Sequence, residues 1–223
     1  MAHDVNNVLG AVMALVSTAH SQMDTEHPAG ADLELALDAC RKGARLTRTV
    51  LDCAKGHSPV PELFTVNELA ADVVELVSRC AGRQAEVALD LTSEPTQIEG
   101  DPNAVALALL NLCLNSLSAM PKSGRIVLST RRVLEPKTHW TVARQPLGRG
   151  PFVSVAVSDT GSGMDEDTRQ RLFVPFFGAS PFREGTGLGM TLVLSAAASH
   201  RGAVEVVSEP GRGTTVALHL ATA

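Results

Sequence analysis

The chain has 223 residues, a formal net charge of −5, 44% hydrophobic and 19% charged residues, which is enough for two modest domains with real cores and too apolar for a disordered chain. One Trp, six Phe and no Tyr on an acidic background argue against an aromatic, basic nucleic-acid surface. No apolar run approaches about 18 residues and no basic-then-apolar leader is present, so the sequence predicts a cytosolic chain without a membrane span or signal peptide.

Val5, Val8, Leu9, Val12, Met13 and Val16 recur at spacings of three and four, which predicts an amphipathic helix ending near Gln22. The segment MDTEHPAGA breaks that pattern. A second helix starts at Asp32, with Leu33, Leu37, Cys40, Ala44, Thr47 and Leu51 at the spacing of a bundle seam and Leu46, Val50 and Cys53 on an adjoining stripe. The two make an antiparallel hairpin over residues 1–57. Two helices cannot enclose a core, so the hairpin is expected to pair with a copy of itself as a homodimeric four-helix bundle. GHSPVPE at 56–62 then marks a linker, and a second domain is expected over 61–223.

In that domain the pattern predicts a strand at Leu63–Val66, a helix from Asn67 to about Ala81, a strand at Glu86–Leu91 and a helix from Pro102 to about Ala119. Asp101 and Pro102 supply its cap and first turn. Strands follow at Arg125–Arg132 and Phe152–Ser158, then an irregular Gly-rich stretch over 159–185 and a helix from Thr186 to His200. Ala203–Ser208 and Thr214–Leu220 read as a closing hairpin. The mixture without strict alternation predicts an α+β sandwich with helices on one sheet face. Cys40, Cys53, Cys80 and Cys113 lack metal or disulfide spacing and read as buried reduced thiols. Arg131, Arg132, Lys137, Arg144 and Arg149 make 131–149 basic, which a solvated loop explains.

Three features carry chemistry. Asn111 and Asn115 stand four apart in ALLNLCLNSL and so share a helix face, where amide oxygens can hold a hard cation or form an ordinary polar pair. DTGSGM (159–164) follows the apolar strand FVSVAVS; an Asp at a strand end can accept from an exocyclic amine, and glycines let the backbone bend round a flat ligand. GTGLGM (185–190) leads into an apolar helix, where backbone N–H groups can approach phosphates. It is not G-x-G-x-x-G, and no P-loop motif occurs in the chain.

The ordered set resembles the catalytic core of the sensor histidine kinases in the GHKL ATPase superfamily. NLCLNS is similar to the asparagine box, DTGSGM to the first glycine box, LFVPFF (172–177) to the phenylalanine box and GTGLGM to the second glycine box. AHDVNNVLG (2–10) resembles the phosphoacceptor motif of the His-Asp-x-Asn-Asn subgroup. The resemblance implies His3 as phosphoacceptor, Asp4 as its acid–base partner and Asn7 as a water-orienting group for the reverse phosphatase reaction. It implies ATP as substrate, Mg²⁺ on Asn115 and Asn111, and adenine on Asp159 with Gly161, Gly163 and Met164 around it. Phe176, Arg183 and the second box, Gly185, Thr186, Gly187, Leu188 and Gly189, would lie over the phosphates. A response-regulator aspartate would then receive the phosphoryl group.

Some positions depart from the pattern. FGASPFREG (177–185) lacks the subgroup's Thr-Thr-Lys and leaves Arg183 as its cation, and Ser116, Leu117 and Ser118 replace the usual Ala-Arg-Asp. An ATP-independent histidine phosphotransfer or scaffold protein is the alternative these departures favour, whereas Asn111, where gyrase-type relatives have a Glu base, disfavours simple hydrolysis. Only two residues precede His3, so the resemblance also implies a longer protein with a sensor region upstream.

Overall fold

The computed structural model describes residues 15, 16, 18, 33, 61–82, 85–120, 123–135, 141–143, 147, 150–175, 177 and 187–222. The chain divides into two compact units, Met1–Pro59 and Val60–Ala223. In the first, Leu15, Val16, Thr18 and Leu33 are helical; the rest of the expected hairpin, with His3, Asp4 and Asn7, lies outside the described residues.

The second unit opens with β1 (Glu62–Thr65), α1 (Val66–Ala81), β2 (Ala85–Asp90), β3 (Gln97–Gly100) and α2 (Pro102–Ser118). It continues through β4 (Gly124–Val133), β5 (Thr141–Val142), β6 (Phe152–Asp159), α3 (Glu166–Arg171), α4 (Gly189–Ser199), β7 (Ala203–Glu209) and β8 (Gly213–Ala221). Six strands form a mixed sheet in the order β2-β4-β6-β8-β7-β5, while β1 and β3 make a separate antiparallel ribbon. Among the described residues only the β2–β4 pair is parallel. The fold is thus the α/β sandwich expected of the GHKL type.

Alternation along the strands explains the layering. Ile126 and Leu128 of β4, Val153, Val155 and Val157 of β6, Val216, Leu218 and Leu220 of β8 and Val204 and Val206 of β7 are all buried in one core, at every second position as a pleated strand requires. Against that face lie the apolar stripes of the helices: Val66, Ala70, Val73 and Val77 of α1, Val105, Leu109 and Leu112 of α2, and Val193 and Ala197 of α4. Each fully buried aliphatic side chain stabilises the fold by about 1.5–3 kcal/mol relative to exposure. Asp101 caps α2 as its sequence predicts, accepting from the Asn103 and Ala104 amides with Pro102 in the first turn.

Several elements differ from expectation. The stretch 159–185 contains α3, which has no buried residue and is held by its termini: Asp165 caps it, Glu166 and Asp167 sit in its first turn and Arg169 and Arg171 in its last. The Thr168 hydrogen bonds hold the Asp165 carboxyl below the usual carboxylate range. Helix α4 starts at Gly189 rather than Thr186. The basic segment is not all loop, because Arg131 and Arg132 belong to β4 and Thr141–Val142 pairs with β7. Arg131 ion-pairs with Asp90 of the neighbouring strand.

Candidate functional site

The three motifs meet at one end of the sandwich. Helix α2 carries both asparagines and packs beside α4, which begins with the second glycine box, while β6 delivers Asp159 at its last position. Asn111 is half-buried and its Nδ2 donates to the Leu107 carbonyl at 2.8 Å. Asn115 is exposed, and its Nδ2 approaches the Met190 sulfur at 3.6 Å. These contacts orient both carboxamides and leave their oxygens as hard donors. A Cβ on Gly189 would stand 3.0 Å from Asn111 Oδ1, so a side chain there would push the carboxamide oxygen aside by a few tenths of an ångström.

Asp159 is held by three donors among the described residues. Its Oδ1 accepts from the Gly161 amide at 2.8 Å and the Thr214 amide at 3.2 Å, and Oδ2 accepts from the Ser116 hydroxyl at 2.9 Å. An ionised carboxylate offers about four acceptor positions, so one position on Oδ2 remains for a ligand. The half-buried carboxylate therefore suits an N–H donor presented by the edge of a flat heterocycle.

Gly163 takes φ +64°, and a Cβ there would fall 1.9 Å from the Glu209 carbonyl oxygen. The first glycine box is drawn down onto the β7–β8 turn, and its neighbours complete the seal. Met164 N donates to Ser208 Oγ at 2.8 Å, Gly211 N to the Ser162 carbonyl at 2.7 Å and Ser162 N to the Ala119 carbonyl at 3.1 Å. Met164 also packs against the core. Helix α4, with Leu188 before Gly189 and Gly187 at φ +66°, has no side-chain cap at its start. That leaves first-turn amides of the kind that approach anions. Phe176, Arg183, Gly185 and Thr186 lie outside the described residues.

At the far end of α4, His200 is buried, donates from Nδ1 to the Ala196 carbonyl at 2.7 Å and accepts the Asp101 amide on Nε2 at 3.0 Å. Burial pushes its pKa below the ordinary value, against the opposing pull of the Ala196 hydrogen bond and Asp101. Cys113, between the two asparagines in sequence but on the opposite side of α2, is buried in the core, and burial pushes its thiol up to about 12, which disfavours the reactive thiolate. Among the described residues no cluster of three His, Cys, Asp or Glu side chains gathers to bind a metal. The amide oxygens fit a hard cation that takes its other ligands from water and phosphate.

The pattern of the family described as histidine kinase-, DNA gyrase B-, and HSP90-like ATPases matches residues 100–223. The chain belongs to this family. Among its relatives, the sensor kinase CckA of Brucella abortus (strain 2308) is 30% identical over 226 residues, covering 99% of this chain and 23% of the relative. The sensor histidine kinase ZraS of Klebsiella oxytoca is 30% identical over 225 residues, covering 99% of this chain and 44% of ZraS. The chain thus spans less than half the length of these curated relatives. Full-length ShkA, solved in complex with AMPPNP, superposes with a TM-score of 0.65 at 22% identity over all of this chain and 45% of ShkA. Within the family, the kinase-named relatives support a GHKL-type histidine kinase catalytic domain.

Reading the sequence alone missed Ser116 and Thr214 as partners of Asp159. Thr214 was legible in principle, since GRGTT follows the hairpin turn and must lie beside the end of β6 once the two strands pair as Asp159↔Thr214. Ser116 registered only as a departure from the family pattern.

Proposed function

We propose that the chain is the core of an ATP-dependent protein histidine kinase of a two-component system. In this reading His3 takes the γ-phosphoryl group of ATP and passes it to an aspartate of a response-regulator receiver domain. The observation that carries it is Asp159, a half-buried carboxylate with one acceptor position left over, placed beside two oriented asparagine amides. The complex of ShkA with AMPPNP supports an adenine nucleotide as the ligand.

The chemistry follows from the residues. Asp159 accepts from the 6-amino group of adenine, with Gly161, Gly163 and Met164 shaping the pocket. The second glycine box, Gly185 to Gly189, lies over the phosphates, with Arg183 and Phe176 in the segment before it. Asn115 and Asn111 would hold Mg²⁺, which when bound neutralises phosphate charge. An imidazole nitrogen of His3 attacks the γ-phosphorus in line, ADP leaves, and Asp4 accepts a hydrogen bond from the other ring nitrogen, favouring the tautomer with a free lone pair at the attacking atom. Asn7 orients water in the reverse, phosphatase direction. Residues 1–57 form the dimerising hairpin, 61–223 the catalytic domain, and the protein works in the cytoplasm as a homodimer.

Incubation with γ-labelled ATP and Mg²⁺ tests this. The expected result is an acid-labile, alkali-stable label on the chain that His3→Gln abolishes. Failure to bind nucleotide at millimolar Mg-ATP would instead favour the ATP-independent phosphotransfer protein, which the absence of the usual lid lysine in FGASPFREG also favours.

A further inference from the structure

Helix hydroxyls ordinarily turn back on their own helix. Ser78 donates to the Val74 carbonyl at 2.7 Å and Ser118 to the Leu114 carbonyl at 3.0 Å. Ser116 does not. Its side chain, 5% exposed on α2, donates instead to Asp159 Oδ2 at 2.9 Å, across 43 positions of sequence. A buried hydroxyl bound to a carboxylate makes a charge-assisted bond stronger than a neutral one. It also occupies an acceptor position that water would otherwise fill.

We propose that Ser116 is a specificity-determining positioning residue: by clamping Asp159 Oδ2 it leaves the carboxylate a single acceptor position and makes the site select a purine bearing an amino group at carbon 6. This rests on the nucleotide reading above. With Oδ1 taken by the Gly161 and Thr214 amides and half of Oδ2 taken by Ser116, a 6-amino N–H meets an acceptor. A 6-oxo group would bring a second acceptor against an ionised carboxylate, at a cost in unpaired polar groups. Without the hydroxyl, Oδ2 gains a second open position. A water bound there can donate either way, so it can bridge to a 6-oxo group and relax the choice.

The test is a cycle between the residue and the base. Affinities of the full chain for ATP, for the 6-desamino analogue purine riboside triphosphate and for inosine triphosphate are measured by calorimetry for wild type and Ser116→Ala. Wild type is expected to prefer ATP over both analogues by tenfold or more. Ser116→Ala should weaken ATP about three- to tenfold, the range of one hydrogen bond, leave the 6-desamino analogue unchanged and tighten inosine triphosphate relative to ATP. An equal loss for all three nucleotides would assign Ser116 a purely structural role and overturn the proposal, as would no change. The pair Ser116→Thr and Ser116→Val guards against misfolding, because the two side chains have similar volume and differ in the hydroxyl. Thr should keep the ATP preference and Val should lose it; the same preference in both would reject the idea. If wild type binds none of the nucleotides, the nucleotide reading falls and takes this inference with it. If it binds ATP but Ser116→Ala changes nothing, only the inference fails.

Discussion

The two glycine boxes look alike in sequence, and each holds one glycine in left-handed backbone, Gly163 and Gly187, but Gly163 and Gly189 are there for different reasons. In the first, Gly163 holds a left-handed backbone pressed onto the Glu209 carbonyl, and its neighbours are bonded to α2 and to the β7–β8 turn. In the second, Gly189 opens α4 in ordinary helical geometry and faces the Asn111 amide oxygen. One glycine answers to the fold and the other to a side chain of the site. The difference teaches that a glycine motif can be a structural joint or a clearance, and that substitution separates the two.

Gly163→Ala should have the largest effect. Forcing a side chain into φ +64° costs about 1–3 kcal/mol, and the clash with a backbone oxygen adds to it, so urea unfolding is expected to show a loss of about 3 kcal/mol or more. An unchanged midpoint would erase the distinction between the boxes. Asp159→Asn comes next. It should lower nucleotide affinity by roughly 1.5–3 kcal/mol, the value of a hydrogen bond to a charged group; unchanged calorimetric affinity for an ATP analogue would remove Asp159 from the site.

Gly189→Ala sharpens the contrast from the other side. Ala favours a helix over Gly by up to about 1 kcal/mol, so thermal stability should hold or rise. Nucleotide affinity should fall severalfold, because the new methyl displaces Asn111 Oδ1. A variant that loses stability while binding normally would show that this glycine, too, serves the fold.

The smallest expected effect lies at the opposite end of α4, at His200. Burial keeps its folded pKa below the unfolded value. Its contribution is therefore complete above about pH 6.5 and is lost as pH falls through the lower folded value. Stability measured from pH 7.5 to 5.5 should drop more steeply for wild type than for His200→Gln. The buried His219, also shifted downward by burial, should leave a residual slope in the variant. Equal slopes would exclude His200 as a source of the acid sensitivity.

Elements with strong local signals were legible in the sequence. The Asp101–Pro102 cap, the alternating β6 and the valine stripe of α1 each declare themselves through periodicity or backbone chemistry. Helix α3 did not, because EDTRQR buries nothing and has no apolar period; only its charge order, acidic first and basic last, betrays it. Strand β3, QIEG, carries a single large apolar residue and β5 is two residues long, so neither offers an alternation to read, and both owe their state to the partner strand. The site divides in the same way. Asn111, Asn115 and Asp159 stand in recognisable motifs, whereas the Ser116–Asp159 bond exists only once α2 has been laid across the end of β6.

The strand order has a consequence for how the chain is made. β8 lies between β6 and β7, and Asp159 waits for Thr214, 55 positions later, to complete its hydrogen bonds. A nascent chain that has emerged only as far as β7 therefore presents β6 with one open edge and the apolar faces of α2 and α4 with part of their cover missing. Such surfaces invite aggregation on the ribosome. The domain can close only after Ala221 has cleared the exit tunnel, so its yield in cells should depend on holding chaperones more than that of a domain built from consecutive hairpins.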